Sequence, residues 1–256
     1  MDESSADEEE VVLGDPSSGV VRIGNTVRRP VQPGTPAVHG LLRYLEDAGF
    51  DGSPRVLGID EAGREILTFL PSEPVWPYTE EVLVATARLV RSVQVILEGF
   101  TPPPDAVWSP ARTPGLPVGH NDITPDNTVY AGGLPYGFID WELAGPSRPL
   151  ADVAWAAINF VPLRPDHFCR MVGFSEPPDR PPRLRLFCDA YGVEDRLELL
   201  DGIEACQRDG LREVLELGGA GLAPFDRFLA RGEDRFVRWD LEWLVAHRQE
   251  LERALR

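Results

Sequence analysis

The 256-residue sequence contains no lysine, and all 25 of its basic residues are arginine. A chain without lysine cannot form a Schiff base through a side-chain amine, and it cannot use the lysine of a P-loop to bind phosphate. Any basic side chain that recognises phosphate must therefore be an arginine, whose planar guanidinium can donate two parallel hydrogen bonds to it.

Cysteine and long apolar runs are also scarce. The three cysteines, Cys169, Cys188 and Cys206, lie far apart and form no CxxC pair, which argues against a disulfide framework or a zinc site and predicts buried free thiols. No apolar run approaches the roughly 20 residues needed to span a bilayer. Residues 1–10 are acidic and lack the basic and apolar regions of a secretory signal. We therefore expect a cytoplasmic protein with no membrane partner.

Acidic residues outnumber basic ones by 42 to 25, giving a formal net charge of −17. A field of this sign repels nucleic-acid backbones and favours cationic partners. We therefore expect no nucleic-acid partner, although acidity also serves solubility alone.

The chain divides into a β-rich first part and a helical second part. Residues 1–10 are predicted to form a flexible acidic tail, and residues 11–72 a lobe of short strands with one helix at 35–48. Three prolines in residues 71–77 indicate a hinge. Residues 73–256 are predicted to form a larger, mainly helical lobe. Its predicted helices are 79–98, 151–160, 180–191, 196–216 and 224–254.

One segment of the second part carries recognisable chemistry. His120, Asp122 and Asn127 have the spacing of a protein-kinase catalytic loop. A turn and an apolar strand follow, and the strand ends in Asp140, thirteen residues after Asn127. This predicts a β-hairpin that presents Asn127 at its start and Asp140 at its end. One amide oxygen and one carboxylate suit Mg²⁺, and Asp122 can orient a hydroxyl without holding the metal.

Two other interpretations remain open from the residues alone. His120, Asp126 and Asp140 are plausible metal ligands of a hydrolase, although no second histidine lies near them in sequence. Alternatively, the polar residues only cap the turns of a structural loop. The two-part layout and the second aspartate favour phosphoryl transfer over both.

Residues 119–129 and 138–142 resemble the catalytic loop and the metal-binding motif of the aminoglycoside phosphotransferase and choline kinase family. Residues 145–146 and 150–154 are similar to its continuation into a helix. The resemblance implies an α+β, two-lobed, protein-kinase-like fold: a small antiparallel sheet with one helix, and a larger helical lobe with a catalytic β-hairpin. It also implies Mg²⁺, ATP or GTP as phosphoryl donor, and a small-molecule alcohol as acceptor.

The resemblance further implies roles for individual residues. Asp122 is the implied catalytic base, and Asn127 and Asp140 are the implied metal ligands. The implied supporting residues are His120, Glu142 and Asp152.

The first lobe departs from the family pattern. The family places a lysine, sometimes an arginine, on the third strand to hold the nucleotide phosphates, so Arg28 or Arg29 must take that role here. Only one of the two can face the cleft, and we favour Arg29. The helix glutamate that pairs with this residue in the family is not evident, because Val38 and His39 occupy its place. A nucleotide-binding pseudokinase with a regulatory role is therefore the alternative function.

Further nucleotide contacts are predicted at Ser17 and Ser18, in a loop at 13–19, and at Phe69 and Leu70 near the hinge. An ordinary turn and core packing explain these four residues equally well.

Acids on the helices of the second lobe suggest an amine-bearing alcohol, such as an aminoglycoside, as acceptor. A position on solvated helix faces is the simpler explanation for any single one. These acids are Asp166, Glu176, Asp179, Asp189, Glu194 and Asp195.

Overall fold

A computed structural model describes residues 10–14, 16–73, 75–109, 112, 115 and 117–256. Of the predicted acidic tail, only Glu10 lies among the described residues.

The first lobe is a five-stranded antiparallel sheet with one helix. The strand order is β1-β2-β3-β5-β4. The turn at Gly24 and Asn25 joins β2 to β3, with Arg22 opposite Val27, so the predicted hairpin is confirmed. Leu41, Leu42 and Leu45 form the buried face of the helix, as their spacing predicts. The elements are β1 (Glu10–Val12), β2 (Val21–Ile23), β3 (Thr26–Pro30), α1 (Thr35–Asp47), β4 (Val56–Ile59) and β5 (Arg64–Thr68).

The second lobe is mainly helical and carries two small two-stranded sheets. Thr79 caps its first helix by accepting a hydrogen bond from the N–H of Val82. The helices are α2 (Glu80–Leu97), α3 (Ala151–Phe160), α4 (Asp166–Met171), α5 (Arg180–Tyr191), α6 (Arg196–Gly219), α7 (Phe225–Ala230) and α8 (Glu233–Leu255). The strands are β6 (Val118–Gly119), paired with β9 (Gly145–Pro146), and β7 (Thr128–Ala131), paired with β8 (Leu134–Phe138).

Three features of this lobe differ from the sequence-based expectation. The helix predicted at 224–254 is two helices, because Gly232 adopts a left-handed φ of 75° that ends one and precedes the next. Helix α4 is too short to give a periodic apolar pattern and was not predicted. The β6–β9 pair, two residues per strand, was not predicted either.

One apolar core runs through both lobes, and the catalytic hairpin touches the first lobe directly. The N–H of Phe138 donates to the carbonyl oxygen of Gly52 at 2.7 Å. A Cβ added to Gly137 would lie 2.1 Å from that same oxygen, so the two backbones can approach this closely only because Gly137 has no side chain. This contact holds strand β8 against the segment between α1 and β4.

Two composition-based expectations can be compared with the described residues. All three cysteines are free and buried, as predicted. Within the described ranges, no helix is long and apolar enough to cross a membrane.

Candidate active site

One buried carboxylate holds the backbone of the catalytic loop. Asp152, in the first turn of α3, accepts hydrogen bonds from the N–H of His120 at 2.9 Å and of Asn121 at 2.6 Å. A Cβ added to Gly119 would lie 2.7 Å from the same carboxylate. Gly119 therefore leaves room for the Asp152 carboxylate, and the two residues together set the path of the loop.

Asn121 ties this loop to the segment that follows the metal motif. Its φ of 66° lies in the left-handed region, which asparagine adopts more readily than most residues. Its side-chain amide donates to the carbonyl oxygens of Leu143 at 3.1 Å and Gly145 at 2.9 Å. The motif spacing did not single out this residue, although an asparagine inside a tight loop is a recognised signal for this conformation.

His120 braces the loop as a neutral side chain. Its Nδ1 accepts the N–H of Asp122 at 3.2 Å, so the proton lies on Nε2, which donates to the carbonyl oxygen of Ile139 at 2.9 Å. Burial lowers the pKa of His120, which keeps the ring uncharged. The ring thus links the residue that would act as base to the strand that ends at Asp140.

Asp122, Asn127 and Asp140 lie at one end of the hairpin. The amide of Asn127 donates to the Asp122 carboxylate at 2.7 Å and to its backbone oxygen at 3.0 Å. The N–H of Ile139 donates to the backbone oxygen of Asn127 at 2.8 Å, which brings the two ends of the hairpin together. Asp140 has a left-handed φ of 59°, a strained value that non-glycine residues adopt mainly at special sites.

The environment of Asp122 suits a general base. Burial and the neighbouring charge of Asp140 raise the pKa of Asp122 to about 7, against the opposing effect of the hydrogen bond from Asn127. A base is most effective when its pKa lies near the working pH. The charges of Glu142 and Glu233 also raise the pKa of Asp122.

The hairpin end has donor atoms that fit Mg²⁺. Because the amide nitrogen of Asn127 is held by Asp122, its Oδ1 is the atom left to ligate a metal. The Asp140 side chain is 46 % exposed and open to the cleft. One neutral and one charged oxygen match the protein contribution that Mg²⁺ takes when phosphates complete its shell. Within the described ranges no group of three or more His, Cys, Asp or Glu side chains forms an all-protein metal site.

Arg29 lies in the cleft and reaches Asp140. It forms an ion pair with Glu65 and a second one, at 3.0 Å, with Asp140. His39 on α1 binds the other oxygen of Glu65 at 2.7 Å. Burial alone would lower the pKa of Arg29, but Glu65 and Asp140 outweigh it and raise that pKa. The partner expected on the helix is thus supplied by strand β5, with the helix contributing a histidine.

The other predicted nucleotide contacts are less clearly placed. Arg28 faces away from this cluster, donating to Thr26 at 2.5 Å and lying 3.7 Å from Asp60. The N–H of Phe69 donates to the carbonyl oxygen of Asn25, and the guanidinium of Arg22 covers its ring at 3.8 Å. The N–H of Phe69 is therefore not free to bind the base of a nucleotide.

The predicted serine contacts lie in the turn between β1 and β2. Ser18 accepts a hydrogen bond from the N–H of Val20 at 3.3 Å, whereas the side chain of Ser17 lies outside the described residues. Leu70 follows the end of β5. Nucleotide contacts at Ser17, Ser18 and Leu70 stay predictions.

Glu142 lies beside Asp140, in the short 3₁₀ segment Trp141–Leu143. Burial and the charge of Asp140 raise its pKa, and Arg29 and Arg227 oppose that rise. Its carboxylate lies 3.9 Å from the guanidinium of Arg227, on α7. Sequence reasoning did not identify Arg227 or Glu233 because both come from helices distant in sequence.

Three of the six acids predicted to form an anionic acceptor wall are engaged locally. Asp166 pairs with Arg180 at 2.7 Å, Asp189 pairs with Arg196 at 2.5 Å, and Asp195 caps α6. An amine-bearing acceptor stays a prediction.

Cavities of different size lie in the two lobes of the described chain. The larger, about 490 Å³, lies in the first lobe between α1 and the β4–β5 turn and is not at the catalytic loop. The smaller, about 170 Å³, begins at Thr124, two residues after Asp122, and extends to Arg164. Only the smaller one adjoins the candidate catalytic residues.

Comparison with known proteins identifies the class. The choline/ethanolamine kinase family protein of Mesorhizobium loti superposes with a TM-score of 0.60 at 17% identity, covering 98% of this chain and 92% of that chain. The gentamicin complex of APH(2")-IIa superposes with a TM-score of 0.55 at 13% identity, covering 93% and 91%. The GDP complex of aminoglycoside 2'-phosphotransferase-IIIa gives 0.57 at 12% identity, covering 96% and 94%. The fold is therefore the two-lobed, kinase-like fold that the motifs predict.

Sequence comparison gives the family. Residues 105–200 match the phosphotransferase enzyme family. The trifolitoxin immunity protein of Rhizobium leguminosarum bv. trifolii is 32% identical over 255 residues, covering 92% of this chain and 94% of the relative. The chain belongs to the phosphotransferase enzyme family.

Proposed function

We propose that this protein is a Mg²⁺-dependent small-molecule kinase that transfers the γ-phosphoryl group of ATP or GTP to an alcohol. The observation that carries the proposal is the meeting of Asp122, Asn127 and Asp140 at one hairpin end, with Arg29 reaching the same point from the first lobe. A nucleotide donor also implies the cytoplasm as the working compartment.

Each of these residues has a separate task in the proposed reaction. The carboxylate of Asp122 accepts the proton of the acceptor hydroxyl, whose oxygen forms a bond to the γ-phosphorus. The bond from the γ-phosphorus to the bridging oxygen breaks, and the nucleoside diphosphate leaves with the electron pair. Arg29 offers a permanent positive charge to the phosphates. Asn127 and Asp140 hold Mg²⁺, which when bound supplies charge neutralisation on the phosphate oxygens.

The name of one relative suggests what the reaction is for. Because a protein sharing 32% identity with this chain is an immunity protein against trifolitoxin, we include in the proposal that the acceptor is a toxic compound. Adding a phosphoryl group of nearly two negative charges changes how such a compound binds its target, which would protect the cell.

The alternative is a pseudokinase that binds nucleotide without turnover. Two sequence features motivate this alternative: the missing helix glutamate and the arginine in place of the family's lysine. The arrangement of Arg29, Glu65 and His39 weakens the first, because Glu65 supplies a buried carboxylate to the arginine. Catalysis is therefore the preferred proposal.

The test is phosphoryl transfer from Mg·ATP or Mg·GTP to a panel of alcohols, followed by mass spectrometry of product and nucleoside diphosphate. We expect transfer to at least one alcohol and a loss of about 10²- to 10⁴-fold in Asp122→Asn. Asp105→Asn, which changes an exposed loop carboxylate, should retain full activity. Nucleotide binding without transfer to any alcohol would favour the pseudokinase, and cleavage of phosphoesters without nucleotide would favour a metal-dependent hydrolase.

A further inference from the structure

Glu65 uses both of its carboxylate oxygens in the first-lobe cluster. Its Oε1 accepts the Nε–H of Arg29, and its Oε2 lies 2.7 Å from Nε2 of His39. Burial alone would raise the pKa of Glu65, but the hydrogen bonds from His39 and Arg29 hold it below its ordinary value. At neutral pH the side chain is therefore a carboxylate, which only accepts hydrogen bonds, so Nε2 of His39 carries the proton and donates.

The guanidinium of Arg29 is only partly used by the protein. Its Nε donates to Glu65, and its Nη1 donates to Asp140 at 3.0 Å. Its Nη2 makes no hydrogen bond within the described residues. The side chain is 13 % exposed, and Nη2 is not one of the buried atoms that lack a partner in that part of the chain. Nη2 is therefore the nitrogen that a ligand in the cleft can reach.

The contact between Arg29 and Glu65 is narrower than their chemistry favours. The Nε–H and one N–H of Nη2 point the same way, and together they form a fork that matches the two oxygens of a carboxylate. A pair closed in this way would use Nη2 on Glu65. In the structure the fork is open, because Oε2 is bound to His39 rather than to Nη2.

Helix α1 fixes the position of His39. Val38 and Leu42 on the same helix are buried in the core, at 3 % and 1 % exposure, and His39 itself is 8 % exposed. The ring is therefore placed by the packing of the helix, and its bond to Glu65 carries that placement to the strand pair β3–β5.

Other arginines close to Glu65 along the strands are engaged elsewhere. Arg28 lies 3.7 Å from Asp60, and Arg64 pairs with Asp60 at 2.8 Å. The positive groups that act on the Glu65 carboxyl are His39 and the arginine opposite it. Loss of the histidine would thus leave Oε2 to that arginine alone.

We propose that His39 is a positioning residue for Arg29: by holding the second oxygen of Glu65, it keeps Nη2 of Arg29 open for a phosphate oxygen of the nucleotide. His39 acts through Glu65 and does not touch the nucleotide. Without its donor, Arg29 and Glu65 close their fork, and the phosphate loses one charged hydrogen bond. The inference rests on the proposed function only in that a nucleotide binds in the cleft.

The test is calorimetric binding of a non-hydrolysable Mg·ATP or Mg·GTP analogue to the full chain. His39→Leu removes the donor, and we expect the affinity to fall about tenfold, the loss of one charged hydrogen bond. Leucine is preferred to alanine because the cavity of about 490 Å³ lies against His39, and a smaller side chain would admit water that could donate to Glu65. The control Arg43→Met changes an exposed arginine of α1 that lines the same cavity, and it should keep the affinity within about twofold.

A conservative variant separates hydrogen bonding from packing. The amide nitrogen of glutamine lies as many bonds from the backbone as Nε2 of histidine, so His39→Gln should restore the affinity to within about threefold of wild type. His39→Asn is one bond shorter, cannot reach Glu65 and should resemble His39→Leu. This second pair keeps the test decisive if His39→Leu does not fold. Lower stability in urea with unchanged analogue affinity would leave His39 a structural role only and overturn the inference.

Removal of Arg29 tests the route from His39 to the phosphate. In an Arg29→Met background, His39→Leu should change the analogue affinity by less than about twofold, because no guanidinium remains to be redirected. An equal fall with and without Arg29 would show that His39 acts on the nucleotide by another route, and it would contradict the inference.

Binding and transfer together separate this inference from the proposed function. Analogue binding that depends on His39, without phosphorylation of any panel alcohol, would reject the kinase function and keep the role of His39. Transfer to an alcohol, with equal analogue affinity in wild type and His39→Leu, would do the reverse. A wild type that binds no nucleotide analogue would overturn both.

Discussion

The catalytic loop of the second lobe and the arginine cluster of the first lobe hold their charged groups in different ways. In the loop, one buried acid, Asp152, binds two successive backbone N–H groups. In the cluster, Arg29 and Glu65 lie opposite each other on the paired strands β3 and β5, His39 comes from α1, and the charged groups contact one another through their side chains. In the loop a side chain therefore holds the backbone, whereas in the cluster side chains hold one another.

This difference suits two separate tasks, placement of the catalytic base in the loop and binding of phosphate in the cluster. A base must sit within hydrogen-bond reach of its proton, so rigid placement of Asp122 favours catalysis. Arg29 divides its contacts between Glu65 and Asp140, which leaves it able to exchange Asp140 for a phosphate. The two regions can be compared by removing one carboxylate from each.

The largest effect is expected at Asp152. Asp152→Ala leaves two buried N–H groups without acceptors, which should lower the free energy of unfolding by about 4 kcal/mol. Urea unfolding followed by tryptophan fluorescence measures this. Asp105→Ala, an exposed loop position, should change it by less than about 0.5 kcal/mol. Similar losses in both variants would show that Asp152 does not hold the loop.

A smaller and pH-dependent effect is expected at Glu65. Burial raises the pKa of Glu65, but hydrogen bonds from His39 and Arg29 outweigh it and place the folded-state pKa below the ordinary 4.5. The charged form therefore stabilises the fold above pH 4.5, and this contribution is lost as the pH falls through the folded-state value.

Glu65→Gln keeps the shape of the side chain and removes its charge. At neutral pH the variant should be about 2 kcal/mol less stable than the wild type. The difference between their urea midpoints should shrink as the pH falls below 4.5. A gap that stays constant with pH would mean that the charge of Glu65 does not stabilise the cluster.

Structural features that depend on residues close together in the sequence were predicted best. The hairpin from Asn127 to Asp140 follows from spacing, turn residues and alternation. The contact of Gly119 with Asp152 needs residues more than thirty positions apart, but both lie in recognisable motifs.

Side-chain partners from distant elements were harder to predict. Glu65 lies directly opposite Arg29 in the β3–β5 register, so a correct strand pairing would have revealed it through the attraction of opposite charges across strands. The sequence alone does not supply that register. Helix α8 begins at Glu233 because the chain breaks at Gly232. The sequence predicted one continuous helix over 224–254, so it did not indicate a helix start at Glu233.

The central claim is that Arg29, and not its neighbour Arg28, presents the positive charge to a Mg-bound nucleotide. Calorimetric titration of wild type, Arg29→Ala and Arg28→Ala with a non-hydrolysable Mg·ATP or Mg·GTP analogue tests it directly. We expect affinity to fall about 10- to 100-fold in Arg29→Ala, the loss of a charged hydrogen-bonding group, and to stay within about twofold in Arg28→Ala, whose side chain contacts Thr26 and Asp60 instead. Equal affinities in all three proteins, or a larger loss in Arg28→Ala, would contradict the account.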